Sequence, residues 1–277
     1  MKIAQDKIKS ILVINLGGIG DLLISTPALG GLRGLYPAAK ISLFTVERSA
    51  KLIERFSIID KIFAWKGGWK ELLVLLFKMR REKFALAINM RTIASWASAL
   101  KMASVFWLIG PAIRAGRDTD GKGFFLDIKI PESYLATKPE AEYDNELVRQ
   151  LGGQVSSRNL ELPIVPGDID YIESSLRARG VKGSDVLIGV NPGGIPSRRW
   201  PLENFAQVIR EFRQRIKCKI VITGSTGEKK LAKRIGGLVN GEILDFSGKT
   251  TVWQLAALIK RCKVYISTAN LKQSPFF

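Results

Sequence analysis

Short apolar runs alternate with amphipathic stretches along the chain. Six strand-like runs lie at residues 11–16, 41–46, 85–89, 186–190, 219–223 and 264–267. Runs this short, bounded by glycine or polar residues, are typical of strands buried on both faces of a parallel sheet. Helical patterns follow Thr26, Ala50 and Thr92, start again at Leu202 and recur after Glu228. The alternation predicts βαβ units and an α/β fold with doubly wound sheets.

A break at residues 162–170, LPIVPGDID, separates the two series of runs. Two prolines and a glycine in nine residues favour a connecting segment. We therefore predict an N-terminal Rossmann-like domain over residues 1–163 and a second one over residues 171–277, beginning with a helix at 171–179. No internal repeat or low-complexity tract interrupts either half.

Two apolar stretches of the first half are candidates for segments that contact or cross a membrane. Residues 69–84 join an apolar face to Lys78, Arg80, Arg81 and Lys83, a pattern that fits an interfacial helix and, somewhat better, a packed surface helix. Residues 96–113 are nearly apolar but contain Lys101 and end at Gly110-Pro111. They fall short of a span of about 20 residues, so we predict a buried helix.

The amino-acid composition limits the fold size, the catalytic groups and the cellular compartment that the chain can have. A chain of 277 residues with 46% hydrophobic content can bury a large core and usually forms two domains. With no histidine, a general base must be another residue type, carboxylates first, and no His-containing metal site is available. Two cysteines and no apolar leader segment in the first ten residues predict a reducing cytoplasm.

The net charge of +18 predicts an anionic partner. Nucleic acid, nucleotide diphosphates and an anionic membrane all fit that charge. The basic residues are scattered, and no zinc-finger or RNA-binding signature is present, so we predict no nucleic-acid partner.

The first glycine loop, Gly17-Gly18-Ile19-Gly20, ends at Asp21. Its glycines let a ligand approach the backbone at the carboxyl end of the first strand. The dinucleotide fingerprint fails because Leu23 stands where its third glycine belongs, and neither this loop nor GSTGEKK at 224–230 contains the P-loop sequence. A plain tight turn in which Asp21 caps the next helix is the alternative interpretation.

Four further blocks follow in a fixed order. After Gly20-Asp21 and Thr26-Pro-Ala-Leu come RAGRDTDGKGFF from Arg114, EAEYDNELVRQLGG from Glu140, NPGG from Asn191 and RRWPLENF from Arg198. From about residue 9 to about residue 267, the chain resembles the heptosyltransferase family, glycosyltransferase family 9.

The resemblance implies a GT-B fold, in which two Rossmann-like domains face a cleft, with the acceptor bound by the first domain and the nucleotide-sugar donor by the second. It further implies inverting sugar transfer without a metal or a cofactor. Asp21 matches the family's catalytic base, beside the acceptor-side loop of Gly17, Gly18 and Gly20. Arg114 and Arg117 are candidates for an acidic acceptor, with a plain exposed loop as the alternative.

On the donor side, Arg198 matches a cation that neutralises the departing diphosphate. Asn191, Gly193 and Gly194 resemble the phosphate-binding loop, although a simple β-to-α turn is the alternative. Thr223 and Gly224 end the next strand, and Glu228 resembles an acidic residue that contacts the ribose. We interpret Arg199 as a surface charge, and Trp200 and Trp253 as packing residues.

After Ser267 the chain departs from the family pattern. It reads TANLKQSPFF from Thr268, with Ala269 where an aspartate is expected and no histidine after it. The resemblance therefore predicts an incomplete, C-terminally truncated second domain, with an unpaired sheet edge and reduced activity.

The leading hypothesis is a truncated heptosyltransferase that moves heptose from ADP-heptose to the inner core of lipopolysaccharide, peripheral to the inner face of the cytoplasmic membrane. Truncation can leave this form inactive. The alternative is a non-catalytic protein that binds an anionic lipid or protein. A nucleotide-dependent oxidoreductase fits least well, because the glycine spacing of the dinucleotide-binding fingerprint is missing.

Overall fold

The computed structural model describes residues 8–135, 137–155, 162–194, 196–239 and 241–267. The chain divides into two compact units, Met1–Glu161 and Leu162–Phe277. Each unit has its own parallel sheet and its own hydrophobic core.

The first unit is built on six parallel strands in the order β3-β2-β1-β4-β5-β6. The strands are β1 Ser10–Asn15, β2 Lys40–Val46, β3 Lys61–Trp65, β4 Leu86–Asn89, β5 Ile113–Thr119 and β6 Ile128–Glu132. The helices are α1 Ile19–Ile24, α2 Thr26–Leu35, α3 Glu47–Ile53, α4 Trp69–Arg81, α5 Trp96–Ile109 and α6 Glu140–Gln150. This strand order is that of a Rossmann sheet, whose binding edge lies beyond the carboxyl ends of the strands.

The central strand β1 is buried on all sides, which explains its uninterrupted apolar sequence. Residues 11–14 are completely buried, because β2 pairs with one side of the strand and β4 with the other. Ile11 lies opposite both Ile41 and Leu86. An uninterrupted apolar run is therefore required here, since helices cover both faces of the sheet.

The second unit has four described parallel strands in the order β10-β7-β8-β9. They are β7 Val186–Asn191, β8 Cys218–Ile222, β9 Ile243–Asp245 and β10 Val264–Ser267. The helices are α7 Pro166–Arg177, α8 Leu202–Arg215, α9 Lys229–Leu238 and α10 Val252–Arg261, with single 3₁₀ turns at Pro196–Arg198 and Thr226–Glu228. Separate apolar clusters flank the two faces of this sheet.

The start of the second unit differs from the sequence prediction. Helix α7 begins at Pro166, five residues before the predicted start at 171. Proline suits the first helical position because its missing N–H has no helical partner there, and Asp168 accepts a hydrogen bond from the N–H of Val165. The predicted departure of the tail, from Thr268 onwards, lies outside the described residues.

The prediction of a buried helix at 96–113 is wrong for one face of α5. Ala99, Phe106 and Ile109 are buried, whereas Trp96 and Trp107 are largely exposed. An almost wholly apolar sequence hides this division, because periodicity is weak where few polar residues mark the outer face. In the part of the chain that the structure describes, no helix is long and apolar enough to cross a membrane.

Candidate functional site

Strand ends in both units carry the same local turn. Asn15 at the end of β1 and Asn191 at the end of β7 each accept a hydrogen bond from the glycine N–H two residues later, at 3.1 and 2.9 Å. Asn89 and Asp245 do the same for Arg91 and Ser247. This side-chain turn ends the strand and turns the following loop across the carboxyl edge of the sheet.

Asp21 lies in the first turn of α1, at the carboxyl edge of the first sheet. One carboxylate oxygen accepts the N–H of Gly18 at 2.8 Å, and the other lies 2.9 Å from a guanidinium nitrogen of Arg91. A Cβ on Gly17 would lie only 2.6 Å from the Cβ of Asp21, so the loop needs glycine there. Asp21 caps the helix and remains partly exposed, which leaves both interpretations of this residue open.

Near Asp21, a buried polar network connects β1, β5, α6 and the junction between α1 and α2. Ser25, between α1 and α2, donates its hydroxyl to Asp144 of α6 at 2.7 Å and accepts from the side-chain amide of Asn15. Asp144 also lies 2.6 Å from Arg117 of β5. Through these contacts the end of α1, the helix that carries Asp21, is connected to α6 and β5.

Arg117 is the most buried cation in this network. It is 1% exposed and contacts Glu132 and Glu140 as well as Asp144. Burial by itself lowers the pKa of its guanidinium, but attraction to Asp144 and hydrogen bonds to Glu140 outweigh that effect and raise the pKa above its usual value. The three carboxylates therefore hold the guanidinium in its charged form.

The interpretation of Arg114 and Arg117 as residues of an exposed loop requires correction. Neither residue lies in an exposed loop, since both belong to β5. Arg114 forms a two-point contact with Asp127, and Arg117 is enclosed by its carboxylates. Each guanidinium is paired within the unit, and a contact of either one with the acceptor stays a prediction.

In the second unit, Glu228 bridges two loops. One carboxylate oxygen accepts the N–H of Gly194 at 2.9 Å, while the other accepts both the N–H and the hydroxyl of Ser225. A Cβ on Gly193 would lie 2.1 Å from the same carboxylate. The glycines after β7 therefore admit an anionic group against the backbone, and here that group is Glu228 itself.

Hydrogen bonding sets the charge state of Glu228. Burial raises the pKa of its carboxyl, but the N–H groups of Ser225 and Gly194, the Ser225 hydroxyl and the charge of Arg199 outweigh burial and lower the pKa. Arg199 donates to the carbonyl of Gly194 at 3.0 Å. The interpretation of Arg199 as a free surface charge is thus wrong, since its side chain helps hold the loop.

The other predicted donor-side residues occupy different positions. Thr223 is buried, and its hydroxyl is paired with that of Tyr265, so it supports the loop from below. The carbonyl of Gly224 accepts the N–H of Gly248. The backbone of Arg198 closes a 3₁₀ turn, and its side chain lies outside the described part of the structure. Nucleotide contacts by these residues stay predictions.

The two tryptophans predicted to pack do so to different extents. Trp253 is 6% exposed, whereas Trp200 is 40% exposed and contacts the ring of Phe205 edge-on.

A Cβ on Gly20 would have no neighbour within 4 Å, unlike one on Gly17, so sterics alone do not require glycine at position 20. Among the described residues, no group of three acidic, cysteine or histidine side chains is placed to hold a metal ion.

Sequence reasoning missed Arg91, Ser25 and Asp144. A local signal existed for Arg91, because Asn89-Met-Arg repeats the strand-end pattern of Asn15-Leu-Gly. For Ser25 and Asp144, which are 119 residues apart, no local pattern points to the pairing.

Comparison with known proteins identifies the family. The sequence profile of glycosyltransferase family 9 (heptosyltransferase) matches residues 74–268, and the chain belongs to this family. The lipopolysaccharide core heptosyltransferase OpsX of Haemophilus influenzae is 22% identical over an alignment covering 94% of this chain and 73% of that protein.

Solved structures show the same fold. A family 9 glycosyl transferase from Veillonella parvula has a TM-score of 0.79 at 24% identity, covering 96% of this chain and 77% of that one. The E. coli ADP-heptose LPS heptosyltransferase II has a TM-score of 0.71 at 20% identity, covering 93% and 78%. The predicted α/β fold of GT-B type is confirmed, and the chain is a glycosyltransferase.

Proposed function

We propose that this glycosyltransferase moves heptose from ADP-heptose to the inner core of a lipopolysaccharide precursor at the cytoplasmic face of the membrane. The names of OpsX and heptosyltransferase II support this donor and acceptor. The observation that carries the proposal is Asp21, a partly exposed carboxylate fixed at the binding edge of the first sheet by Gly18 and Arg91.

In the proposed reaction, an acceptor hydroxyl oxygen attacks the anomeric carbon of the heptose, and Asp21 takes the hydroxyl proton. The bond from that carbon to the diphosphate breaks with inversion, and ADP leaves with the electron pair. The negative charge that develops on the diphosphate is stabilised by the backbone N–H of Gly194, next to Gly193, together with Arg198. We propose no metal or cofactor in this step.

In this proposal, the diphosphate of the donor competes with the Glu228 carboxylate for the N–H of Gly194. The N–H of Gly194 is bonded to Glu228, so a phosphate that uses this N–H displaces the carboxylate. Once displaced, Glu228 is available to accept a ribose hydroxyl, the role that the family resemblance suggests.

The test is ADP release from ADP-heptose, with and without a heptose-free lipopolysaccharide precursor, in buffer containing a chelator. We expect release that requires both substrates and an inverted anomeric linkage in the product. Asp21→Asn should lower kcat by about 10²- to 10⁴-fold with little change in the KM for the donor. Glu146→Gln, which removes a partly exposed carboxylate from the same unit, is the control.

Each failure has a distinct meaning. An Asp21→Asn rate equal to wild type would remove Asp21 from the role of base. Binding of ADP without turnover of ADP-heptose would contradict the proposed reaction, and it would fit a different donor sugar or acceptor or the non-catalytic alternative. Turnover that stops in the chelator would overturn metal independence.

A further inference from the structure

The outer surface of α4 and α5 carries an unusual set of exposed apolar side chains. Trp107 is 78% exposed, Trp69 is 68% exposed and Phe77 is 61% exposed. The α4–α5 face, as we name it, consists of Trp69, Leu73, Val74, Phe77, Trp96, Leu100, Trp107 and Phe124, all exposed. Single exposed apolar residues are normal, but a group of this size on two neighbouring helices indicates an interaction site.

The two helices present this face on one side of the sheet. The connections through α4 and α5 run in the same direction along the sheet, so the right-handed rule for parallel crossovers places both helices on one face. Both helices contribute to the same buried apolar cluster. Arg80 near the end of α4 donates to the carbonyl of Leu108 near the end of α5 at 2.9 Å, so the helices lie side by side. Phe124 extends the face, since its ring centre lies 6.4 Å from that of Trp96.

Basic side chains surround these apolar residues. The exposed cations on or next to the two helices are Lys66, Lys70, Lys78, Arg80, Arg81, Lys83 and Lys101. By sequence, Glu71 is the only carboxylate on α4 and α5, and it is half-buried and accepts the N–H of Lys66. The face is therefore both apolar and strongly positive.

We propose that the α4–α5 face binds the surface of an anionic lipid bilayer. Tryptophan and phenylalanine suit the boundary between headgroups and acyl chains, while Lys and Arg attract anionic headgroups. An apolar face of this kind enters to a depth of about 5–10 Å, without crossing the bilayer. A second copy of the chain fits less well, because a two-fold interface would set the same cations against each other.

This inference extends the proposed function, on which its biological meaning rests. Trp69 and Trp96 stand at the first positions of helices that follow the carboxyl ends of β3 and β4. The carboxyl edge of this sheet also carries Asp21. Docking through the α4–α5 face thus brings the acceptor side of the first unit close to a lipid-linked acceptor.

The test is co-sedimentation of the purified chain with phosphatidylglycerol-containing vesicles, which hold neither donor nor sugar acceptor. Phe77→Ser combined with Trp107→Ser should weaken binding by about tenfold or more. Lys78→Glu combined with Lys101→Glu should weaken it by at least about fivefold per basic residue lost. Neutral phosphatidylcholine vesicles and high salt should both lower wild-type binding, since screening weakens the attraction.

Two matched pairs serve as controls. Tyr134→Ser with Leu135→Ser removes exposed apolar side chains elsewhere in the first unit, and Lys233→Glu with Arg234→Glu reverses charges on α9. Both pairs should bind vesicles like wild type. On a deacylated acceptor, the Phe77/Trp107 variant should keep wild-type turnover, which separates lipid binding from catalysis.

Three results would overturn the inference. One is a wild-type chain that stays in the supernatant with anionic vesicles. Another is equal loss of binding in the face variants and their controls. The third is a concentration-dependent dimer that the Phe77/Trp107 substitutions abolish while vesicle binding is absent, which would assign the face to self-association.

Discussion

Arg114 and Arg117 show how position on one strand decides what a charge does. They are three residues apart on β5, so their side chains lie on opposite faces of the sheet. Arg114 is paired with Asp127 at the surface, whereas Arg117 is enclosed by three carboxylates. A buried charge that loses its partner is much more costly than an exposed one.

Replacement of these two arginines should therefore have unequal effects. Arg117→Met should lower the free energy of unfolding by about 3–5 kcal/mol, because Asp144 is left buried without its partner. Arg114→Met should cost less than about 1 kcal/mol. Urea unfolding of both variants measures the difference, and equal losses would show that the buried network contributes no more than a surface pair.

Glu228 gives the second unit a pH-dependent contribution to stability. Its pKa is lowered in the folded chain, so its stabilising effect is present above the unfolded-state pKa of about 4.3 and is lost as the pH falls through the lower folded value. We expect the stability difference between wild type and Glu228→Gln to shrink as the pH falls from 5 to 3. Glu211→Gln on α8 is the exposed control. A difference that stays constant over this range would contradict the bridging role.

Two adjacent glycines of helix α2, Gly30 and Gly31, differ in how much space surrounds them. A Cβ on Gly31 would lie 2.9 Å from the carbonyl oxygen of Gln154 and 3.0 Å from Val148, because α6 and the loop after it approach here. A Cβ on Gly30 would have no neighbour within 4 Å. Gly31 therefore allows close packing, whereas Gly30 only weakens the helix.

Alanine substitutions should separate these two cases. Gly31→Ala should destabilise the chain by about 1–3 kcal/mol through overpacking. Gly30→Ala should stabilise it by about 0.5–1 kcal/mol, because alanine favours the helix. Thermal unfolding of the two variants provides the measurement. Effects of the same sign would contradict the close approach of α2 and α6.

The elements that the sequence predicts best are those with a complete local signal. The end of β1 is marked by an apolar run and two glycines, and α8 begins at Leu202 as predicted because Trp-Pro precedes an amphipathic repeat. Strand β5 was missed because its arginines suggest a loop. Their partners Asp127 and Asp144 lie 13 and 27 residues away, so burial and pairing leave no local pattern. The position of Asp21 was predictable, whereas its contact with Arg91 required the fold.

At the scale of the whole molecule, each unit has its own sheet, its own core and its own glycine loop. Each substrate of the proposed reaction should therefore slow amide hydrogen exchange in a different unit. A ligand that binds only the folded state stabilises it by about 2.7 kcal/mol at 100 times its Kd, which is about a hundredfold in the opening equilibrium.

We expect ADP, added with a chelator, to slow amide hydrogen exchange at the carboxyl ends of β7 and β8, around Gly194 and Ser225. The amides of α4 and α5 should exchange as before, because the donor site is proposed in the second unit. Gly193→Ala should abolish the protection, since its Cβ forces Glu228 out of place and fills the space at the loop. Protection confined to the first unit would contradict the donor assignment. Protection that develops only when the chelator is left out would instead mean that a metal ion takes part in nucleotide binding, because the chain alone would then be insufficient to hold the diphosphate.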